Sequence, residues 1–274
     1  MVRFAGVGRI GTVGVLMSAL VLLSLLSTTP AQAIIGAEPD GTGHPYVGAI
    51  DARPTGAPIF TASGVLTSPT VFLIPAHTAV RFERAGLTQA RVTFDPAASD
   101  SSTWYTGTIH TNPAYDPTNA VDPGDLAVIV FDVPVSGITP ALLPTENLLD
   151  ELGPKGLSRE TFNVVAYGVS SYLGGSSGGG TPHPDFSSTG TRRVAQQTFA
   201  SLTSGWLRLR MNRGSEICIG DSGGPSLIGD SDMIAGITFG QSSLSGGQCL
   251  SQPRDIRVDT PSARAFLGQY VTLP

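Results

Sequence analysis

The chain has 274 residues, 16 basic and 21 acidic side chains for a formal charge of −5, and 41% hydrophobic residues. That balance excludes the basic surface a nucleic-acid partner needs. Two cysteines and four scattered histidines (His44, His77, His110, His183) are too sparse for a metal site, and no metal or other cofactor is expected.

Arg3 and Arg9 precede a charge-free run from Val13 to Leu26, and Ala31-Gln32-Ala33 follows, so residues 1–33 read as a secretory signal peptide. The apolar run falls short of the ~20 residues a membrane helix needs. Removal after Ala33 takes both leader arginines and leaves 14 basic against 21 acidic residues, or −7. The mature chain is expected to be secreted and extracellular, to make no membrane contact and to be a monomer. In an oxidising compartment Cys218 and Cys249 are expected to pair, two buried free thiols being the alternative.

From residue 46 onward, short β-type segments recur between turn signals. YVGAI (46–50), SGVLTSPTVFLIPA (63–76), ARVTFD (90–95) and DLAVIVFD (125–132) lie in the first half. TFNVVAYGV (161–169), RRVAQQTF (192–199), WLRLRM (206–211), DMIAGITF (232–239) and DIRVDT (255–260) lie in the second. The pattern is all-β, and about 240 residues of it suit a sandwich or a pair of barrels in one functional unit. The tail TPSARAFLGQYV (260–271) is the one helix predicted: Thr260 or Ser262 can cap it, and Ala263, Phe266, Leu267 and Tyr270 share a face. Two loops stand out, at 112–125 and the Gly/Ser-rich 173–185. A boundary falls near 143–156, dividing the chain into halves 34–150 and 151–274.

EICIGDSGGP (216–225) holds three glycines, a proline, an acid on each side of a cysteine and the lone hydroxyl of Ser222. Such a composition suits neither strand nor helix. It serves either as a tight structural turn or as a loop presenting Ser222 as a nucleophile beside backbone N–H groups. A serine nucleophile needs a base, and the base needs an acid to fix its tautomer. GDSGG also satisfies G-x-S-x-G, whose α/β-hydrolase version requires serine, acid and histidine in that order. All four histidines precede Ser222, which excludes that order and also excludes Cys218 as a nucleophile with a downstream histidine.

A histidine, then an aspartate, then the serine remains, supplied by PAH (His77), GDLAVIVF (Asp125) and GDSGGP (Ser222). At these residues, and at IIGA (34–37), SGVLTSPTVFLIPAH (63–77) and AYG (166–168), the sequence resembles the trypsin/chymotrypsin family of serine proteases. The resemblance implies two antiparallel six-stranded β-barrels with a C-terminal helix, the first carrying His77 and Asp125, the second Ser222 and the specificity pocket. It implies peptide or protein substrates, and His77, Asp125 and Ser222 as base, orienting acid and nucleophile. It implies an oxyanion hole from Gly220 and Ser222, and substrate backbone pairing along Thr238, Phe239 and Gly240. It further implies a Cys218–Cys249 bridge bracing the pocket, Glu216 on the pocket floor favouring cleavage after Arg or Lys, and an ion pair between the Ile34 amine and Asp221. Arg254 is a candidate to neutralise Glu216. One departure is I-P-A-H-T at 74–78, where the family has T-A-A-H-C, so the disulfide usual beside the histidine is absent. An inactive, binding-only homologue and an esterase using the same site are the alternatives.

Overall fold

The computed structural model describes residues 1–2, 34–51, 62–174, 182–240 and 249–274. The leader from residue 3 to the cleavage motif at 31–33, and most of the Gly/Ser-rich loop, lie outside the described residues.

The first barrel is built from β1 (Val47–Asp51), β2 (Ala62–Ser68), β3 (Val71–Ile74), β4 (Gln89–Thr93), β5 (Tyr105–Thr111) and β6 (Ala127–Phe131). The second uses β7 (Thr161–Ala166), β8 (Arg193–Leu202), β9 (Trp206–Met211), β10 (Pro225–Ile228), β11 (Ile234–Phe239) and β12 (Arg254–Arg257). All pairings are antiparallel. The first barrel closes in the order β1-β2-β3-β6-β5-β4, and the second repeats that order as β7-β8-β9-β12-β11-β10. The all-β reading and the two six-stranded barrels are therefore correct. Strands at Tyr105–Thr111 and Pro225–Ile228 were not anticipated, and the stretch 63–76 divides at Pro69-Thr70 into the hairpin β2–β3.

Closure explains the mixed sequence periodicity. β3 (VFLI) is buried along its whole length, because its neighbours β2 and β6 are themselves inside strands. Phe72 lies in edge contact with Phe94 (ring centroids 5.7 Å apart) and against Phe131, and burial of such a ring contributes roughly 1.5–3 kcal/mol. In the second barrel Phe162, Leu207, Leu209 and Ala235 form a cluster that also takes in Leu149 and Leu157.

Among the described residues three α-helices form, where the sequence predicts one. The expected one, α3 (Pro261–Leu267), is capped by Thr260, whose Oγ1 accepts from the Ala263 amide, and buries Ala263, Phe266 and Leu267. Two others escaped notice: α1 (Ala76–Arg84) and α2 (Leu148–Leu157). α1 starts directly after β3 with Pro75 extended, buries Ala76, Ala79 and Phe82, and carries Arg81 and Arg84 in its last turn, where cations suit the helix dipole. α2 is broken at Gly153-Pro154 and is held from outside by Asp259, whose backbone oxygen and carboxylate accept from the Asn147 and Leu149 amides.

Ser63 and Arg192 are among the polar side chains that join the barrels. The Ser63 hydroxyl donates to the Gly220 carbonyl (2.9 Å) and accepts from the Tyr167 amide, while the Ser63 amide donates to the Ser222 carbonyl. Arg192, 1% exposed, reaches from the lead-in to β8 to Asp40 (2.7 Å) and to the carbonyls of Val47, Phe94 and Gly41. Each of its three nitrogens is thereby hydrogen-bonded, as a buried guanidinium requires.

Candidate active site

His77 is the second residue of α1 and Asp125 lies just before β6. Both oxygens of the fully buried Asp125 are used by His77: Oδ1 accepts from its backbone amide (2.7 Å) and Oδ2 faces its ring Nδ1 (2.8 Å). A carboxylate only accepts, so Nδ1 carries the proton and Nε2 is left with the free lone pair. The fixed ring is thus a proton acceptor on its far side. His110, by contrast, lies against Tyr270, and His44 bonds to Asp40.

Ser222 sits on a tight loop leading into β10. Asp221 N bonds back to the Cys218 carbonyl, Gly224 N to that of Asp221, and Gly223 N to that of Thr238. Gly223 has φ +92°, and a Cβ there would lie 2.0 Å from the Ser63 carbonyl oxygen, so only glycine fits. The Ser222 Oγ exchanges hydrogen bonds with the Gly240 backbone, accepting from its amide and donating to its carbonyl, each at 3.1 Å. It makes no hydrogen bond to the His77 ring. The amides of Gly220 and Ser222 have no acceptor among the described residues. Cys218 and Cys249 are bonded as a disulfide.

Asp221 is buried completely. Its carboxylate accepts from the amides of Gly168 (2.9 Å) and Cys218 (2.7 Å), and burial pushes its pKa up to about 8 against the pull of those two bonds. Gly168, the glycine of AYG, makes room for it: a Cβ there would stand 2.4 Å from Asp221 Oδ1. Ile34 is also buried, in a cluster with Ala37, Val164 and Ile217, and Ile35 exchanges two backbone bonds with Glu216. The segment beginning at Ile34 is therefore seated in the second barrel's flank.

The Glu216 carboxylate accepts from the Tyr172 hydroxyl (2.6 Å), a phenol that burial and this acid push up to about 12. Arg254 does not reach Glu216. Its guanidinium lies 4.4 Å from the Trp206 ring centroid and 4.7 Å from that of Phe239, and Phe239 contacts the His77 ring at 4.9 Å. Thr238 has both backbone groups bonded to Gly223 and Gly224, which leaves Phe239 and Gly240 as the continuation of that strand toward Ser222. A cleft of about 310 Å3 opens beside His77, lined also by Arg81, Arg84, Tyr115, Phe239 and Gly240.

Sequence reasoning missed Ser63, Tyr172 and Asp255. Asp255, opposite Thr238 in β12, is fully buried, neither of its carboxyl oxygens has a hydrogen-bond partner among the described residues, and burial pushes its carboxyl up to about 7. Among the described residues no group of three His, Cys, Asp or Glu side chains could hold a metal ion.

No family model and no curated protein matches the sequence. Among solved structures, HL collagenase is similar at TM-score 0.63 and 18% identity, covering 86% of this chain and 97% of its own. Neuropsin, a serine protease expressed in the limbic system of mouse brain, is similar at TM-score 0.61 and 17% identity, covering 86% and 99%. The chain has the double-barrel fold of the trypsin-like serine proteases.

Proposed function

We propose that this chain is a secreted serine endopeptidase acting through His77, Asp125 and Ser222. The observation that carries the reading is the two-point hold of Asp125 on His77, which leaves Nε2 as a base within the cleft beside the Ser222 loop. The likeness to neuropsin, a serine protease, supports it.

In the proposed reaction Ser222 turns about its Cα–Cβ bond, between staggered wells, away from Gly240. Its Oγ bonds to the substrate carbonyl carbon as the hydroxyl proton passes to His77 Nε2. The carbonyl oxygen takes the negative charge and is met by the free amides of Gly220 and Ser222. The C–N bond breaks, and the leaving amine takes the proton from His77. A water molecule then gives its proton to His77 and attacks the acyl ester, and return of that proton to Ser222 releases the acid. Asp125 remains ionised and stabilises each imidazolium.

Glu216, bonded to a neutral phenol and free of Arg254, keeps its capacity to pair with an arginine or lysine of the substrate. Exposure of an amine at Ile34 would give the buried Asp221 a cation. One observation favours the binding-only alternative: Ser222 is engaged with Gly240 and not with His77. Turnover decides. Protein starting at Ile34 should hydrolyse internally quenched peptides, and Ser222→Ala and His77→Ala should abolish this. Hydrolysis of esters alone would support the esterase reading, and folded protein inert to both would support the binding-only one.

A further inference from the structure

We propose that the cleft is built to read carboxylate side chains on the acyl side of the scissile bond, so that the preferred substrate is an acidic segment preceding the cut. This rests on the endopeptidase reading above and names its substrate class. The chain carries more acids than bases, yet four arginines flank this one site. Arg81 and Arg84, exposed in the last turn of α1, line the cleft at His77. Arg254 and Arg208 stand directly opposite each other on β12 and β9, behind Phe239. None of the four forms an ion pair among the described residues. The nearby acids are engaged elsewhere: Glu83 accepts from Thr111, Asp116 from Thr118, and Asp125 from His77.

Arg254 has the most specific setting. It is half-buried, with its guanidinium over two aromatic rings, and burial together with the charge of Arg208 disfavours its cationic form, opposed by Asp125. Two arginines facing each other across neighbouring strands, without a carboxylate, repel. A substrate carboxylate would remove both penalties, and stacking holds the planar fork ready for two-point binding. A substrate strand extending along Phe239 and Gly240 would pass from the Arg81/Arg84 side of Phe239 to the Arg254/Arg208 side, so its alternate side chains would meet cations at both ends.

The test uses acyl-amide reporter substrates, in which the cleaved bond is fixed, with Glu or Gln at each of the second to fourth residues before it. Glu is expected to raise kcat/KM roughly ten-fold or more, the range of a charge-assisted hydrogen bond, with an advantage that shrinks as salt rises. The Glu/Gln ratio should fall toward one in Arg254→Gln and in the double variant Arg81→Gln/Arg84→Gln, and Arg254→Lys should keep part of it. Binding of the same peptides, uncleaved, to Ser222→Ala reads the subsite without turnover: if no peptide is cut, the endopeptidase reading fails, while preferential binding of the Glu peptides still upholds the anion subsite. No preference for Glu in either measurement overturns the proposal. So does a preference that survives the arginine substitutions, or an equal advantage for acids placed after the cut, which would indicate a diffuse field.

Discussion

Asp221 offers a quantitative test of how the Ser222 loop is controlled. In the chain continuous through Ile34, its carboxyl is fully buried, accepts two amide protons, and has its pKa pushed from 3.8 to about 8 by burial. Between pH 4 and pH 8 the folded state therefore holds a proton that the unfolded chain has released, so stability falls as pH rises through this window. Four pH units at 1.36 kcal/mol each make this on the order of 5 kcal/mol, or roughly 10–20 °C in Tm for a domain of this size. A chain starting at Ile34 brings an ammonium to the acid, which lowers its pKa and removes the decline. In that form the stability supplied by the amine is present below ~8, its unfolded pKa, and is lost only as pH rises through its higher folded value. Thermal unfolding of both forms from pH 4 to 9 should thus give a falling Tm for the continuous chain and a nearly level one, dropping above pH 8, for the chain from Ile34. Asp221→Asn in the continuous chain should be less stable at pH 5, where the amide group opposes one of the two N–H donors, and should have lost the slope. Parallel profiles for the two forms, or an unchanged slope in Asp221→Asn, would refute the reasoning.

Three further outcomes are expected. Asp125→Asn should lower kcat/KM by on the order of 10^3–10^4, because an amide cannot accept both His77 bonds while holding the Nδ1–H tautomer; a loss below ten-fold in peptide assays counts against the assigned role. Gly168→Ala should cost roughly 1–3 kcal/mol in denaturant unfolding and depress activity, since its Cβ would collide with Asp221 at 2.4 Å. Ser63→Ala leaves the Tyr167 amide and the Gly220 carbonyl without their shared hydroxyl, a loss of about 1–3 kcal/mol measured in the same way.

The all-β class and the C-terminal helix were legible because strand alternation, apolar runs and the Thr260 cap are local signals, whereas the two barrels followed from the family resemblance, local pattern alone leaving a sandwich open. α1 was not legible: only Pro75 separates its nine residues from the apolar strand β3, and the helix exists because Ala76, Ala79 and Phe82 find a core assembled from distant strands. Residue order excluded the α/β-hydrolase arrangement, while the motifs PAH, GDLAVIVF and GDSGGP and the family resemblance they carry brought His77, Asp125 and Ser222 forward as a set, and the His77–Asp125 contact joins two of them across 48 residues. The position of Arg254 was beyond sequence reasoning. Whether it meets Glu216 or the rings of Trp206 and Phe239 depends on the register of β12 against β9 and β11, which no local pattern fixes. Ser63 escaped for a similar reason: a serine in a strand acquires meaning only when a second barrel presents Gly220 and Tyr167 to it.

The central claim is that Ser222 is a nucleophile activated by His77. Folded protein beginning at Ile34, incubated with a fluorophosphonate and digested for mass spectrometry, tests it most directly. The account predicts one phosphonyl group per chain, carried by Ser222, formed in wild type and lost in both His77→Ala and unfolded wild type. Folded protein that takes up no label, or labels Ser222 equally well without His77, would contradict it.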